Sequence, residues 1–488
     1  MRYAAPVFLL VCQFATAGEP AAKAVFERWD AAYLGDVRAG YVHTLVTRQP
    51  DDLLLGSIQM RLSVKRISDT VQLGMDNGTF ETPDGIVTDV FMKQFLGKAQ
   101  SLEIQGKVDG NKLHLTLNKT KRIDSAPWTD RVIGIAKQQQ LYRENNIKPG
   151  DQFHYLSFEP SINLVVTTRV KAGDYETIEL PNGGGKLKLL RAEVKADRIQ
   201  TFQPPPMTVW LNDNLESVSS VTEVPGLGKM TLVKTTKEQA LAPILAIAKA
   251  VEAQRVVSLK QRLPRAHEMT SAVYRIRVKG DADPASGFST DGRQRPGNVQ
   301  GDTFDLAVQR GIVMQAEKIG PEFLQSSHFI NSADVKVREL ARRAVGLEQD
   351  PWKKALKIER YVADAMRPKN HELLATADHV ARTLEGDCTE YAMLTAAMCR
   401  AEGVPSRTAI GLVYGEVRGQ PAFVFHMWTE VWVRGQWVGL DATLGRGGIG
   451  AAHLKVSDQS WHNESSMTPL LSTLNLLGRV SIDVLRTE

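Results

Sequence analysis

The sequence predicts an α+β protein: a large antiparallel β-rich region followed by a C-terminal domain of mixed helices and strands. Three observations predict it. Period-two alternation dominates from Val42 to Val233, amphipathic helical spacing replaces it from Ser332, and a well-marked helix start near Gly386 is followed by two alternating strands. At about 150 residues per domain, 488 residues imply roughly three folding units.

Composition excludes several classes. With 60 Lys+Arg against 55 Asp+Glu, the net charge of +5 is too dilute for a phosphate-binding surface, so no nucleic-acid partner is expected. Gly (38) and Pro (22) are at ordinary levels, which argues against a disordered or fibrous chain. Three cysteines are too few for a disulfide scaffold.

Residues 1–17 read as a signal peptide: Arg2, an apolar run from Ala4 to Cys12, and the small-x-small site Ala15-Thr16-Ala17. Bulky Val11 disfavours the rival, a lipoprotein signal ending at Cys12. No later apolar run reaches eighteen residues, so no transmembrane segment is expected in the mature chain, which is expected to be exported, periplasmic or secreted.

Residues 18–237 are expected to form the β-rich domain. Ile58, Met60, Leu62 and Val64 share one strand face, as do Val71, Leu73 and Met75. Leu102 and Ile104 face Leu113, Leu115 and Leu117 across the hairpin turn Asp109-Gly110-Asn111. His43, His114 and His154 lack ligand spacing and read as strand or surface histidines. Residues 238–265 read as a helical linker and 266–330 as a small β-rich segment. Its loop bearing Asp281, Asp283 and Asp291 departs from calcium-loop spacing and reads as solvated. Amphipathic helices around a break at Asp350-Pro351 open a domain at 331–460, and 461–488 form a C-terminal extension packing on the core.

The chemistry concentrates in that domain. Gly386 breaks the chain, Asp387 is a strong N-cap residue, and Glu390 three positions on completes a capping box. Helix formers follow to Glu402, with Gly403 and Pro405 as the stop. Cys388 therefore sits in the first turn, where unpaired backbone N–H groups and the positive end of the helix dipole favour a nucleophilic thiolate. Cys399, eleven residues on, is roughly 16 Å away along the axis. The two cannot form a disulfide, and Cys399 reads as a small buried hydrophobe.

Two strands follow. His426, Trp428, Glu430 and Trp432 share one face of the second, and Arg434-Gly435 turns the chain back toward Asp441. If Val433 pairs with Gln436, Asp441 falls opposite Trp428 and one diagonal step from His426. A helix-start thiol, an imidazole and a carboxylate are the parts of a Cys-His-Asp nucleophilic site. Trp428 and Trp432 are candidates for walling the site and binding substrate. Glu430 reads as a solvated or ion-paired strand residue. His371, His379, His453 and His462 have no comparable placement and read as structural or surface residues.

The blocks Gly386–Ala392, Arg400–Arg407, His426–Trp432 and Trp437–Thr443 resemble the core of the transglutaminase-like superfamily, whose catalytic arrangement is papain-type. The match covers about residues 330 to 460. The resemblance implies Cys388 as nucleophile, His426 as base and Asp441 as the orienting acid, with no cofactor or metal and with a protein or peptide substrate. It implies acyl transfer at an amide through a thioester, with the Cys388 backbone N–H as a candidate oxyanion donor. A peptidase or amidase is the leading expectation. A cross-linking transglutaminase and a non-catalytic binding or assembly module are the alternatives.

Overall fold

The computed structural model describes residues 23–488 apart from 67–68, 96–100, 119–120, 182, 184, 200–201, 245–246, 250–254, 312–318, 370–373 and 463–469. The expected signal peptide, Cys12 and His371 lie outside the described residues. About 19% of the chain is helix and 50% strand, so sheets set the architecture.

Fifteen strands form one large sheet. The strand Lys23–Leu34 lies in its middle, paired with Val37–Arg48 on one side and Gly228–Thr235 on the other. From there two antiparallel meanders run outward, ending at Lys121–Pro127 and Gln152–Glu159. Two isolated bridges, Ile86 to Ile133 and Val132 to Leu156, tie the segment between the two meanders back to both of them.

The expected period-two pattern is explained by burial on one face. Met92, Leu102, Ile104, Leu113, Leu115 and Leu117 are all buried, and they belong to the same apolar core as the helices of the C-terminal region. The end of the large sheet from Val87 to Leu117 is thus covered on this face by the part of the chain that carries Cys388.

The helical linker expected at 238–265 is corrected. Its helix spans only Lys237–Leu241, and Ala242, in extended conformation before Pro243, ends it. Ala248–Lys249 then pairs with the large sheet, and Val256–Ser258 with strand Gln420–Val433. Strands Gln294–Gln300, Thr303–Gln309, Ser271–Val278 and Val480–Thr487 form a four-stranded sheet in that order, so the C-terminal extension completes the small β segment. The aspartate loop is corrected too: Asp281 is buried against Asn475 and faces Arg198 and Arg479, and Asp291 pairs with Lys455. Cations from distant segments compensate these carboxylates, which loop composition alone could not disclose.

Helices Val335–Val345, Pro351–Ala365, Ala377–Thr383 and Cys388–Ala401 pack together. The break at Asp350-Pro351 is a capped helix start, with the Asp350 side chain accepting from Lys353 N and proline in the first turn. Against them lies a five-stranded sheet built on Gln420–Val433, which pairs with Ser406–Val417, Gln436–Leu440 and Val256–Ser258; His453–Gln459 adds to the far side of Ser406–Val417.

Candidate active site

The Cys388–Ala401 helix begins as expected. The Asp387 side chain accepts from Thr389 N at 3.0 Å, and Glu390 Oε2 accepts from Asp387 N at 2.9 Å, completing the capping box. Glu390 Oε1 also takes Ala375 N at 3.0 Å, so one buried carboxyl holds both the helix start and the segment before it. Burial first, then the Asp387 charge, pushes the Glu390 pKa well above the usual carboxylate range. Gly386 is required by close approach: a Cβ there would lie 2.3 Å from Glu390 Cβ. From Glu390 to Arg400 the helix is buried throughout.

Within that helix the two thiols differ. Cys388, in the first turn, is partly exposed, while Cys399 is buried completely and burial pushes its thiol pKa up. A neutral, enclosed thiol is a poor nucleophile.

The strand register is the expected one. Val433 pairs with Gln436 and Thr429 with Leu440, which puts Asp441 one residue past the ladder, level with Trp428. Arg434 and Gly435 turn the chain with φ of 53° and 78°, the left-handed pair that a two-residue hairpin needs. Along that edge of the long strand, Gln436–Leu440 pairs with residues 429–433 and Val256–Ser258 with 422–424. His426 sits between these two ladders. Thr429 Oγ1 donates to Ala392 O at 3.0 Å, tying the strand to the Cys388 helix.

The structure brings all three candidate residues together. His426 Nε2 lies 2.8 Å from Asp441 Oδ2, which leaves Nδ1 as the ring nitrogen for the Cys388 thiol, whose charge is among the influences acting on the ring. Burial of the ring opposes its charged form, but the Asp441 charge and Cys388 outweigh it and hold the His426 pKa well above the usual imidazole range. Burial likewise opposes ionisation of Asp441, and the His426 charge with hydrogen bonds from His426 and His453 outweighs it, keeping Asp441 ionised. The other carboxylate oxygen, Oδ1, accepts from Thr443 N at 3.0 Å and Thr443 Oγ1 at 2.6 Å. Asp441 is therefore an anion with both oxygens engaged, able to fix the tautomer and orientation of the His426 ring.

Three of its neighbours were not expected. His453, read from sequence as structural or surface, is fully buried with Nε2 at 3.1 Å from Asp441 Oδ2. It reaches Asp441 through the pairing of its own strand with Ser406–Val417, a tertiary contact with no local signature. Thr443 was legible, because a hydroxyl two residues after an aspartate commonly closes an Asx-type turn. Glu359 was legible as well: it lies on the buried helical stripe of Ala355, Ile358 and Val362, where an acid is out of place. Its carboxylate accepts from Asp441 N at 3.1 Å and Gly447 N at 2.9 Å, anchoring the loop after Asp441. Burial raises its pKa to about 7.

The tryptophans separate. Trp428 is 1% exposed, with its ring 6.4 Å from that of His426 and 5.3 Å from that of His453. It packs behind the imidazole and offers a substrate no surface, so its expected binding role is corrected. Trp432 is half-buried, six residues along the strand from His426, with its ring 5.4 Å from Trp437. Glu430 is ion-paired and fully buried: Arg407 and Lys455 both bond it, and their charges outweigh burial to bring its pKa down to about 2. No group of three or more His, Cys, Asp or Glu among the described residues is arranged to hold a metal ion.

Residues 338–442, which include all three candidate residues, match the family model of the transglutaminase-like superfamily. The C-terminal part of this chain is thus a transglutaminase-like domain. No curated protein matches the chain. Among solved structures it is similar to a proposed cysteine protease from Cytophaga hutchinsonii, at 15% identity and TM-score 0.30 over 46% of this chain and 85% of that one. It is similar to a β-barrel-like protein of a domain of unknown function from Brucella abortus, at 13% and 0.33 over 43% and 95%. It is also similar to the periplasmic domain of TgpA from Pseudomonas aeruginosa bound to ethylmercury, at 16% and 0.25 over 37% and 91%. At TM-scores this low, none of the three bears on function here.

Proposed function

We propose that the chain is a cysteine-dependent acyl-transfer enzyme that cleaves amide bonds as a peptidase or amidase, with Cys388 as nucleophile, His426 as base and Asp441 as its orienting acid. The observation that carries this is the His426 ring held 2.8 Å from Asp441 Oδ2 through Nε2 while the Cys388 thiol at the helix start acts on the same ring. The transglutaminase-like match over the same residues supports it.

In this reading the Cys388 sulfur attacks the amide carbonyl while its proton resides on His426. The tetrahedral oxyanion forms near the Cys388 backbone N–H at the helix start. His426 passes the proton to the departing amine, and the C–N bond breaks to leave a thioester on Sγ. Water, deprotonated by His426, then attacks the thioester, releasing a carboxylic acid and the thiol. An amine attacking at the same point would give transfer in place of hydrolysis.

We further propose that the protein is exported, from the leader-like pattern ending at Ala15-Thr16-Ala17. No helix among the described residues is long and apolar enough to cross a membrane.

The test is alkylation of the full chain with iodoacetamide from pH 5 to 9, mapping the modified thiol. Fast labelling of Cys388 alone, slowed in His426→Ala, is expected. Equal, slow labelling of Cys388 and Cys399 would overturn the enzyme reading. Incubation with a glutamine-containing protein and a fluorescent primary amine then separates the reactions. Fragments or ammonia without incorporated amine are expected; amine incorporation would mean transfer.

A further inference from the structure

His453 is fully buried, and nothing in the proposed reaction uses it. Its Nε2 bonds Asp441 Oδ2, the oxygen that also holds His426. An ionised carboxylate can only accept, so His453 Nε2 carries the hydrogen and Nδ1 of the neutral ring is an acceptor. Nδ1 has no hydrogen-bond partner among the described residues, and neither have two other buried atoms, Trp428 Nε1 and His267 Nδ1. These atoms belong to rings that adjoin His453. Its ring centroid is 5.3 Å from that of Trp428, at 83°, and 5.8 Å from that of His267.

If shape alone were needed here, an apolar side chain would fill the site without the cost of burying two ring nitrogens, one of them unpaired. The retained polarity is spent on one atom, Asp441 Oδ2.

We infer that His453 is a positioning residue that holds Asp441 Oδ2 alongside His426 and shares its negative charge, tempering the basicity that the carboxylate confers on His426. The inference rests on the reading of His426 as the base. The tempering has a chemical use: the His426 imidazolium must surrender its proton to the leaving amine, and an imidazolium held too tightly by its carboxylate is a poor acid.

The groups facing His453 make the division of labour definite. Asp441 bonds it, while His426, His267 and the buried guanidinium of Arg293 adjoin it. Burial, assisted by the His426 and Arg293 charges and only partly opposed by Asp441, lowers the His453 pKa to about 4. At neutral pH, therefore, His453 stays neutral and only His426 takes up the proton.

The test is a titration of the full chain labelled with 13C-histidine, from pH 5 to 11, with resonances assigned from single substitutions. In the unsubstituted protein the His453 ring is expected to show the Nε2–H tautomer and no titration. In His453→Phe the His426 midpoint is expected to rise by about one pH unit, the scale of one hydrogen bond to a charged group. In His453→Gln, whose amide N–H can reach the same oxygen, the midpoint is expected to stay within about 0.3 unit.

An unmoved His426 midpoint in a folded His453→Phe protein overturns the inference. So does a His453 ring that titrates near 6.5 in the unsubstituted protein, a measurement that stands even if the phenylalanine variant does not fold. Alkylation of Cys388 in His426→Asn keeps the two failures apart. If it is not slowed, the base reading fails; if it is slowed while the His426 midpoint ignores His453, only the present inference fails.

Discussion

His426 and Asp441 meet at 2.8 Å although they are fifteen residues apart in sequence and the strand leading to the carboxylate ends one residue before it. The carboxylate is aimed by backbone and side chains beyond the ladder: Glu359 grips its N–H, and Thr443 closes on Oδ1. This arrangement keeps it ionised and pointed at one ring nitrogen.

Replacing Asp441 by Asn removes the largest influence raising the His426 pKa. The His426 midpoint is expected to fall toward or below 6.5, measured by histidine NMR. Cys388 alkylation at pH 6 is expected to slow by at least about tenfold, since the amide can also present the wrong partner to Nε2.

Lys455→Met tests the buried charge network. Lys455 bonds Glu430, Asp291 and Asp458, and removing it leaves carboxylates short of a cation in the interior. A loss of about 3–5 kcal/mol in denaturant unfolding is expected, partly recovered by adding Glu430→Gln. The Glu430 pKa is depressed from 4.5 to about 2, so its contribution is present above the unfolded value and is lost as pH falls through about 2.

Glu359 gives the opposite pH dependence. Its folded pKa of about 7 lies above its ordinary 4.5, so the folded chain binds the proton more tightly than the unfolded one. Its stabilising contribution is complete below about pH 4.5 and is lost as pH rises through about 7, a change of about 3 kcal/mol. Thermal melts of Glu359→Gln are expected to lack this decline between pH 5 and 8.

Gly386→Ala forces a methyl group against Glu390. The strain is expected to cost about 1–3 kcal/mol. It is also expected to pull Glu390 from the Asp387 and Ala375 amides, slowing Cys388 labelling while Cys399 stays unreactive. Peptide mapping after timed alkylation measures both thiols.

Where the determining interactions are local, the fold was legible. The capping box at Asp387 and Glu390, the turn at Arg434-Gly435 and the alternation of the large sheet each follow from neighbours within a few residues. The helix expected at 238–265 failed because one proline outweighed a helix-favouring composition, and because the strands that replace it are stabilised by partners far away in the chain. Glu430 illustrates the same limit: its position on the His426 face was readable, but its two cations come from other strands.

By itself the sequence determined that a thiol would stand at a helix start and that Asp441 would fall diagonal to His426. Helix capping and hairpin register are short-range rules, and one two-residue turn sets the pairing of every residue after it. Only the tertiary structure decided what surrounds those groups: Glu359 on the Asp441 amide, His453 on its carboxylate, and Trp428 sealed behind the ring. Those contacts depend on how a helix and a third strand pack against the hairpin. Burial, which sets the ionisation of each of these groups, is a property of that packing and not of any one segment.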